Sequence, residues 1–91
     1  MLDDVREIVC PKWSIEILGF LAKNSPQNYS DIAEEFDTSS DIIVNRLQQL
    51  VDTGLLERDE RSVKDVQYSI TEDGEELIKI LEDADNLLDD Q

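Results

Sequence analysis

Histidine is absent from the 91 residues, and cysteine occurs once, as Cys10. The first absence removes the side chain that most often serves as general base, zinc ligand or switch near neutral pH. The second rules out an intramolecular disulfide, which fits a reducing cytoplasm. Glycine is scarce too: Gly19, Gly54 and Gly74 are too dispersed to build a loop that cradles phosphate. No stretch approaches the ~18 apolar residues that span a bilayer, and no basic start leads into an apolar run, so neither a membrane anchor nor a secretory signal is expected. No Cys/His cluster offers zinc spacing, no acidic loop matches an EF-hand, and no carboxylate pair stands in a readable apolar cleft. Without histidine, a serine or cysteine nucleophile lacks its usual base. The chain therefore reads as a non-enzyme with no cofactor, no metal and no evident small-molecule ligand.

Positive charge is also in short supply. Eight Lys and Arg face 23 Asp and Glu, for a formal net charge of −15. One reading is a carboxylate coat for a salt-rich cytoplasm, where at ~1 M salt the Debye length falls to about 3 Å and like charges are screened. The other is an acidic interaction surface, such as a nucleic-acid mimic. The acids are spread over every segment rather than gathered in one block, which favours the coat. Residues 1–37 carry eight acids and three bases, residues 38–69 six and four, and residues 70–91 nine and one. The middle third is thus nearly neutral in a strongly acidic chain, as a segment that must meet an anion would be.

What is present suffices for one core. With 40% hydrophobic residues and the length of one domain, residues 1–91 are expected to fold as a single unit. A short helix over Asp3–Val9 would carry Leu2, Val5, Ile8 and Val9 inward, and Pro11 ends it or starts the next. Trp13, Ile17, Leu18 and Leu21 follow helical spacing, and Asn24-Ser25-Pro26 stops that helix. Ser30 is expected to cap a short helix that buries Ile32, Ala33 and Phe36. Ser39 caps the next, in which Ile43, Leu47 and Leu50 form one apolar stripe and Gly54 takes the left-handed position beyond its end. Two helices joined by so short a turn are a helix-turn-helix. Leu55-Leu56-Glu57-Arg58 and the alternating Val66-Gln67-Tyr68-Ser69-Ile70 read as two strands joined by a polar loop over 59–65. Thr71 caps a last helix over 72–88, whose Leu77, Leu81, Ala84 and Leu88 recur like a heptad seam. The predicted fold is α+β, mainly α: a winged helix-turn-helix with a three-helix core, a two-stranded β-hairpin wing and a C-terminal helix for dimerisation.

These residues resemble the HxlR-type transcriptional regulators. Lys12-Trp13-Ser14-Ile15-Glu16-Ile17-Leu18 is similar to the Lys-Trp-Ser/Thr opening of that family's first core helix, and Tyr29-Ser30-Asp31-Ile32 to its Phe-Ser-Glu-Leu. Asn45-Arg46-Leu47-Gln48-Gln49-Leu50 and Thr53-Gly54-Leu55-Leu56-Glu57-Arg58 resemble its recognition helix and first strand. Val66-Gln67-Tyr68-Ser69-Ile70-Thr71-Glu72-Asp73-Gly74 resembles its second strand and the start of its final helix. The likeness spans about residues 8–81 and implies a cytoplasmic, homodimeric regulator that binds double-stranded DNA, here an acidic, haloarchaeal-type member. Family members often carry a Cys-Pro pair well upstream of Lys-Trp. Here Cys10-Pro11 abuts Lys12-Trp13, so the oxidant-sensing role of that cysteine does not transfer.

A winged helix implies that helix 39–53 reads the major groove and that the wing, 58–65, meets the backbone or minor groove. With the stripe buried, a 100° turn per residue points Asp41, Asn45, Gln48 and Asp52 outward and leaves Ser40, Val44 and Gln49 at the edges. The amides of Asn45 and Gln48 can make paired hydrogen bonds to base edges, adenine above all, and Ser40 can donate to a phosphate. Arg46 lies near the core edge, where an ion pair and a phosphate contact are both open. Arg58, Arg61 and Lys64 place three of the eight bases within seven residues, for DNA or for pairing with Glu57, Asp59, Glu60 and Asp65. The Leu77–Leu88 stripe must cover either the first helix of its own chain or a second subunit. Trp13 is expected in the core and Cys10 as a small buried apolar residue. Two rival functions share the sequence: a protein-interaction module or acidic DNA mimic, and a thiol switch acting through Cys10. With carboxylates so dense, the usual loss of DNA affinity with salt is expected to flatten or reverse.

Overall fold

The computed structural model describes residues 2–62 and 65–89. Helices α1 (Asp3–Val9), α2 (Ser14–Lys23), α3 (Tyr29–Glu35), α4 (Ser40–Asp52) and α5 (Glu72–Asp89) accompany strands β1 (Gln27–Asn28), β2 (Leu56–Ser62) and β3 (Asp65–Ile70). The strands form one antiparallel sheet in the order β1-β3-β2. This is a mainly helical α+β winged helix-turn-helix, with a short third strand added to the hairpin.

The core is built by the apolar stripes of three helices. Ile17, Leu18 and Leu21 of α2, Ile32 of α3, and Ile43, Leu47 and Leu50 of α4 are fully buried, and Leu55 and Leu56 complete the cluster. Those two leucines reach it because α4 ends abruptly. Gly54 takes a left-handed φ of 82°, the Gly54 N–H donates to the Val51 carbonyl, and the Leu55 N–H donates to the Leu50 carbonyl. A side chain at that φ would be strained, so glycine there turns the chain back onto the stripe it has just left.

Two helix starts differ in detail from expectation. Asn28, not Ser30, caps α3, its side chain accepting from the Asp31 N–H at 2.8 Å. The reason is β1: Gln27 and Asn28 pair with Tyr68 and Gln67, so the chain passes from strand to helix without a loop. Ser39 caps α4 as expected, accepting from the Ile42 N–H. Helix α2 starts at Ser14, because Trp13 is left-handed with φ 79°. That conformation costs a non-glycine residue about 1–2 kcal/mol. It is offset by packing: Trp13 meets Phe36 edge-on at 5.7 Å, and Phe20 meets the same ring at 5.9 Å.

The wing strands run further than their apolar pattern predicts. β2 continues through Ser62 and β3 starts at Asp65, so residues 59–62 belong to the ladder rather than to a loop. Arg58 stands opposite Tyr68, Asp59 opposite Gln67, and Glu60 opposite Val66. Charged residues on both faces hide a strand from a hydrophobicity pattern, although the backbone pairs regardless.

The N-terminal segment departs most from expectation. No residue of α1 is buried, and Leu2 and Val5 are 68% and 41% exposed. Only the last turn leans on the core, through Ile8. Cys10 ends α1 and is exposed, not the buried apolar residue expected.

At the other end, Thr71 caps α5 by accepting from the Gly74 N–H at 3.1 Å while donating to the Gly54 carbonyl at 2.7 Å. This crosslinks the start of α5 to the end of α4. Beyond Leu81 the helix leaves the core, and residues 82–89 are exposed. The molecule is accordingly elongated, 47 × 26 × 24 Å, with a radius of gyration of 13.4 Å; a compact chain of this length would have about 12 Å.

Gly74 is buried where α5 crosses the start of the wing. A Cβ there would fall inside contact distance of the Leu55 carbonyl oxygen and 2.6 Å from Ile70 Cγ1. Gly74→Ala should destabilise the fold by about 1–3 kcal/mol, lowering the thermal midpoint by roughly 5–20 °C. An unchanged midpoint in thermal circular dichroism would refute the close approach.

Candidate nucleic-acid interface

Rotation of α4 about its axis is set by the burial of Ile43, Leu47 and Leu50. That leaves Asp41, Val44, Asn45, Gln48 and Asp52 exposed on the side away from the core. Ser40, also exposed, opens the helix, and its carbonyl accepts from the Tyr29 hydroxyl at 3.4 Å. Gln48 donates to Asp52 Oδ1 at 2.8 Å across one turn. The outward face is thus polar, carries two carboxylates, and has no cation.

The arginine of this helix is engaged elsewhere. Arg46 is half-buried, its Nε donating to the Lys12 carbonyl at 2.8 Å and its Nη1 to Asn45 Oδ1 at 2.6 Å. Gln49, on the same edge, donates from Nε2 to the Glu7 carbonyl at 2.7 Å. Both side chains therefore tie α4 to the N-terminal segment, Glu7 at the end of α1 and Lys12 in the turn before α2. The left-handed Trp13 follows Lys12 directly, and Lys12 Nζ stands 5.4 Å from the Trp13 ring centroid. Sequence reasoning missed this clamp for a physical reason. Its acceptors are backbone carbonyls more than 30 residues away, which no side-chain pattern marks.

On the wing, both described arginines have a local partner. Arg58 pairs with Glu60, and Arg61 Nε lies 3.3 Å from Asp59 Oδ2. The partners are two residues apart, so alternation along β2 puts one pair on each face of the strand. All four side chains are well exposed, and exposed pairs of this kind contribute little to stability. The phenol oxygen of Tyr68 across the sheet, followed by Glu60, raises the pKa of Arg58 above its ordinary value. Lys64, the third basic residue expected on the wing, lies outside the described residues.

The proposed dimerisation stripe divides in two. Leu77 packs against the chain's own core, whereas Ala84 and Leu88 are exposed and Leu81 is half-buried. Leu81, Ala84 and Leu88 line an open groove of about 850 Å³ between α5 and α2, with Ile15, Gly19, Ala22 and Ile78 opposite or beside them. The α2 wall was not read from the sequence. Its signal was present, since Ile15, Gly19 and Ala22 recur at i, i+4 and i+7 on the face beside the buried stripe. Among the described residues, no cluster of His, Cys, Asp or Glu is arranged to hold a metal ion, and no helix is long and apolar enough to cross a membrane.

A family model described as HxlR-like helix-turn-helix matches residues 8–91. None of the curated proteins compared with the sequence matches it. Among solved structures, quinone-bound YodB from B. subtilis is 21% identical and superposes with a TM-score of 0.85, over 99% of this chain and 96% of that one. The reduced form of the transcriptional regulator YodB gives a TM-score of 0.84 at 21% identity, over 97% and 88% of the two chains. At these identities the likeness is one of fold. A possible HxlR family transcriptional factor from Thermoplasma volcanium GSS1 is 30% identical, over 96% of this chain and 83% of that one, with a TM-score of 0.73. With the family model matching nearly the whole chain, and with this helix-turn-helix geometry, the protein belongs to the HxlR-like helix-turn-helix family.

Proposed function

We propose that the protein is a homodimeric, sequence-specific DNA-binding transcriptional regulator of a salt-rich cytoplasm. Helix α4 enters the major groove, and the wing follows the backbone or the minor groove beside it. The observation that carries this reading is the outward face of α4. Exposed amides at Asn45 and Gln48 stand on a helix whose orientation is fixed by its buried stripe and by hydrogen bonds along one edge, in a chain of helix-turn-helix ancestry. Ser40 at the helix start and Arg58, Arg61 and Lys64 of the wing supply the backbone contacts, whereas Arg46 and Gln49 hold the helix in place. The excess of 23 acids over eight bases supports the salt-rich setting.

The whole chain acts as one domain, with α5 as its dimerisation helix. Exposed large apolar residues support a second copy as partner: Leu2, Val5, Ile15, Ile80, Leu87 and Leu88 all lie at or on α1, α2 and α5. The accessible surface is 6388 Å², whereas a compact monomer of this mass exposes about 5,400 Å². The excess is comparable to the ~800 Å² that each partner buries in a standard interface. Leu88→Glu, at an exposed position, should leave the fold intact and weaken self-association at least about tenfold in sedimentation equilibrium. A monomeric parent protein would overturn the dimer.

Selection from random duplexes, followed by affinity measurements over a range of salt, tests the DNA reading. A preferred sequence is expected. Asn45→Ala with Gln48→Ala should lower the ratio of specific to non-specific affinity by roughly tenfold or more, since each paired base contact discriminates by about 1–3 kcal/mol. No preference at any salt concentration, with retention of a basic protein partner instead, would favour the protein-interaction reading.

The paired wing predicts an unusual salt response. Each arginine that reaches a phosphate must leave a carboxylate, so the net release of counterions is small. Asp59→Asn with Glu60→Gln should tighten DNA binding and steepen the log–log salt slope by roughly 0.9 per freed arginine. A slope unaffected by the double substitution would place the wing away from DNA.

A further inference from the structure

Val44 is 53% exposed, and among the described residues it is the one large apolar side chain between Ile15 and Ile80 left so open. Every other one sits at or on α1, α2 or α5, where a second copy is expected. Val44 instead occupies the middle of α4, level with Gln48 one turn later and beside Asn45. Neither the core stripe nor the clamp on the N-terminal segment uses it.

The chemistry around it narrows what it meets. The Arg46 guanidinium is held by the Lys12 carbonyl and by Asn45 Oδ1, so no free cation stands on the outward face of α4 to take the paired acceptors of guanine. The neutral groups there are the Ser40 hydroxyl at the helix start, the amides of Asn45 and Gln48, which would exchange Arg46 and Asp52 for a base edge, and the isopropyl group of Val44. An A·T pair presents the complement of that set in the major groove, with N7 and N6 of adenine for an amide and the C5 methyl of thymine for an apolar group. Positions i and i+4 of a helix are about 6 Å apart, a distance that spans one or two base pairs. Resting on the DNA-binding reading above, we propose that Val44 is a specificity-determining residue that packs on the C5 methyl of a thymine, next to an adenine read by Gln48 or Asn45.

Deoxyuridine tests this directly, because it keeps every hydrogen bond of thymine and lacks only the methyl group. In the duplex selected with the parent protein, each thymine is replaced in turn by deoxyuridine, and affinity is measured with the parent and with Val44→Ala. Alanine at this exposed helical position favours the helix, so the variant folds. One thymine per half-site is expected to weaken the parent about three- to fivefold on losing its methyl, the worth of one buried methyl group. Val44→Ala should bind the two duplexes equally. A flat deoxyuridine scan with the parent, or a penalty that persists in Val44→Ala, overturns the assignment while leaving DNA binding in place. Failure to select any duplex overturns the DNA reading and this assignment with it.

Discussion

The burial of Ile43, Leu47 and Leu50 is the constraint on which the rest depends. Each of these side chains is fully enclosed and stabilises the fold by about 1.5–3 kcal/mol. Turning α4 by one residue would expose a leucine or isoleucine and bury the amide of Gln48 in one sense, or the amide of Gln49 with the guanidinium of Arg46 in the other. The outward set of Val44, Asn45 and Gln48 is therefore a by-product of hydrophobic burial. The hydrogen bonds from Arg46 and Gln49 to backbone carbonyls then hold the helix against sliding along its axis. An element meant to read a surface in register needs both restraints, because a shift of a few ångströms moves every contact to the next base pair.

Electrostatics set the terms on which this winged helix can meet an anion. The net charge is −15, the outward face of α4 has no cation, and both described wing arginines are matched by carboxylates on the same strand. Exposed pairs of this kind exchange partners at little cost, so a phosphate can take the place of Glu60 or Asp59. In the proposed complex, binding would draw on shape and base-edge hydrogen bonds more than on counterion release. That arrangement suits strong salt, which screens the repulsion between carboxylates and phosphates and weakens purely ionic attachment.

The two ends of the chain are unfinished in a single copy. Helix α1 has no fully buried residue and touches the core only through Ile8, and α5 leaves the core after Leu81 and keeps Leu87 and Leu88 in solvent. Both ends adjoin parts that position α4: α1 through Gln49, and α5 through the Thr71–Gly54 hydrogen bond at the end of α4. In the proposed homodimer, the surfaces that join the copies are thus mechanically close to the helices that would read DNA.

The sequence by itself determined the helices, the buried apolar stripes of α2 and α4, the caps at Ser39 and Thr71, and the turn at Gly54. All of these follow from local periodicity or from one side chain satisfying a nearby backbone group. The resemblance carried by Lys12-Trp13, the recognition helix and the Thr71-to-Gly74 stretch extended that to the family. Only the tertiary structure decided where Arg46 and Gln49 go, how far the charged wing strands pair, and that Asn28 rather than Ser30 caps α3. It likewise decided that α1 and Cys10 lie open and that the α2 face of Ile15, Gly19 and Ala22 forms a groove with α5. The physical reason is common to all of these. Their partners are backbone groups or surfaces far away in the chain, and such partners carry no signature in the spacing of neighbouring side chains.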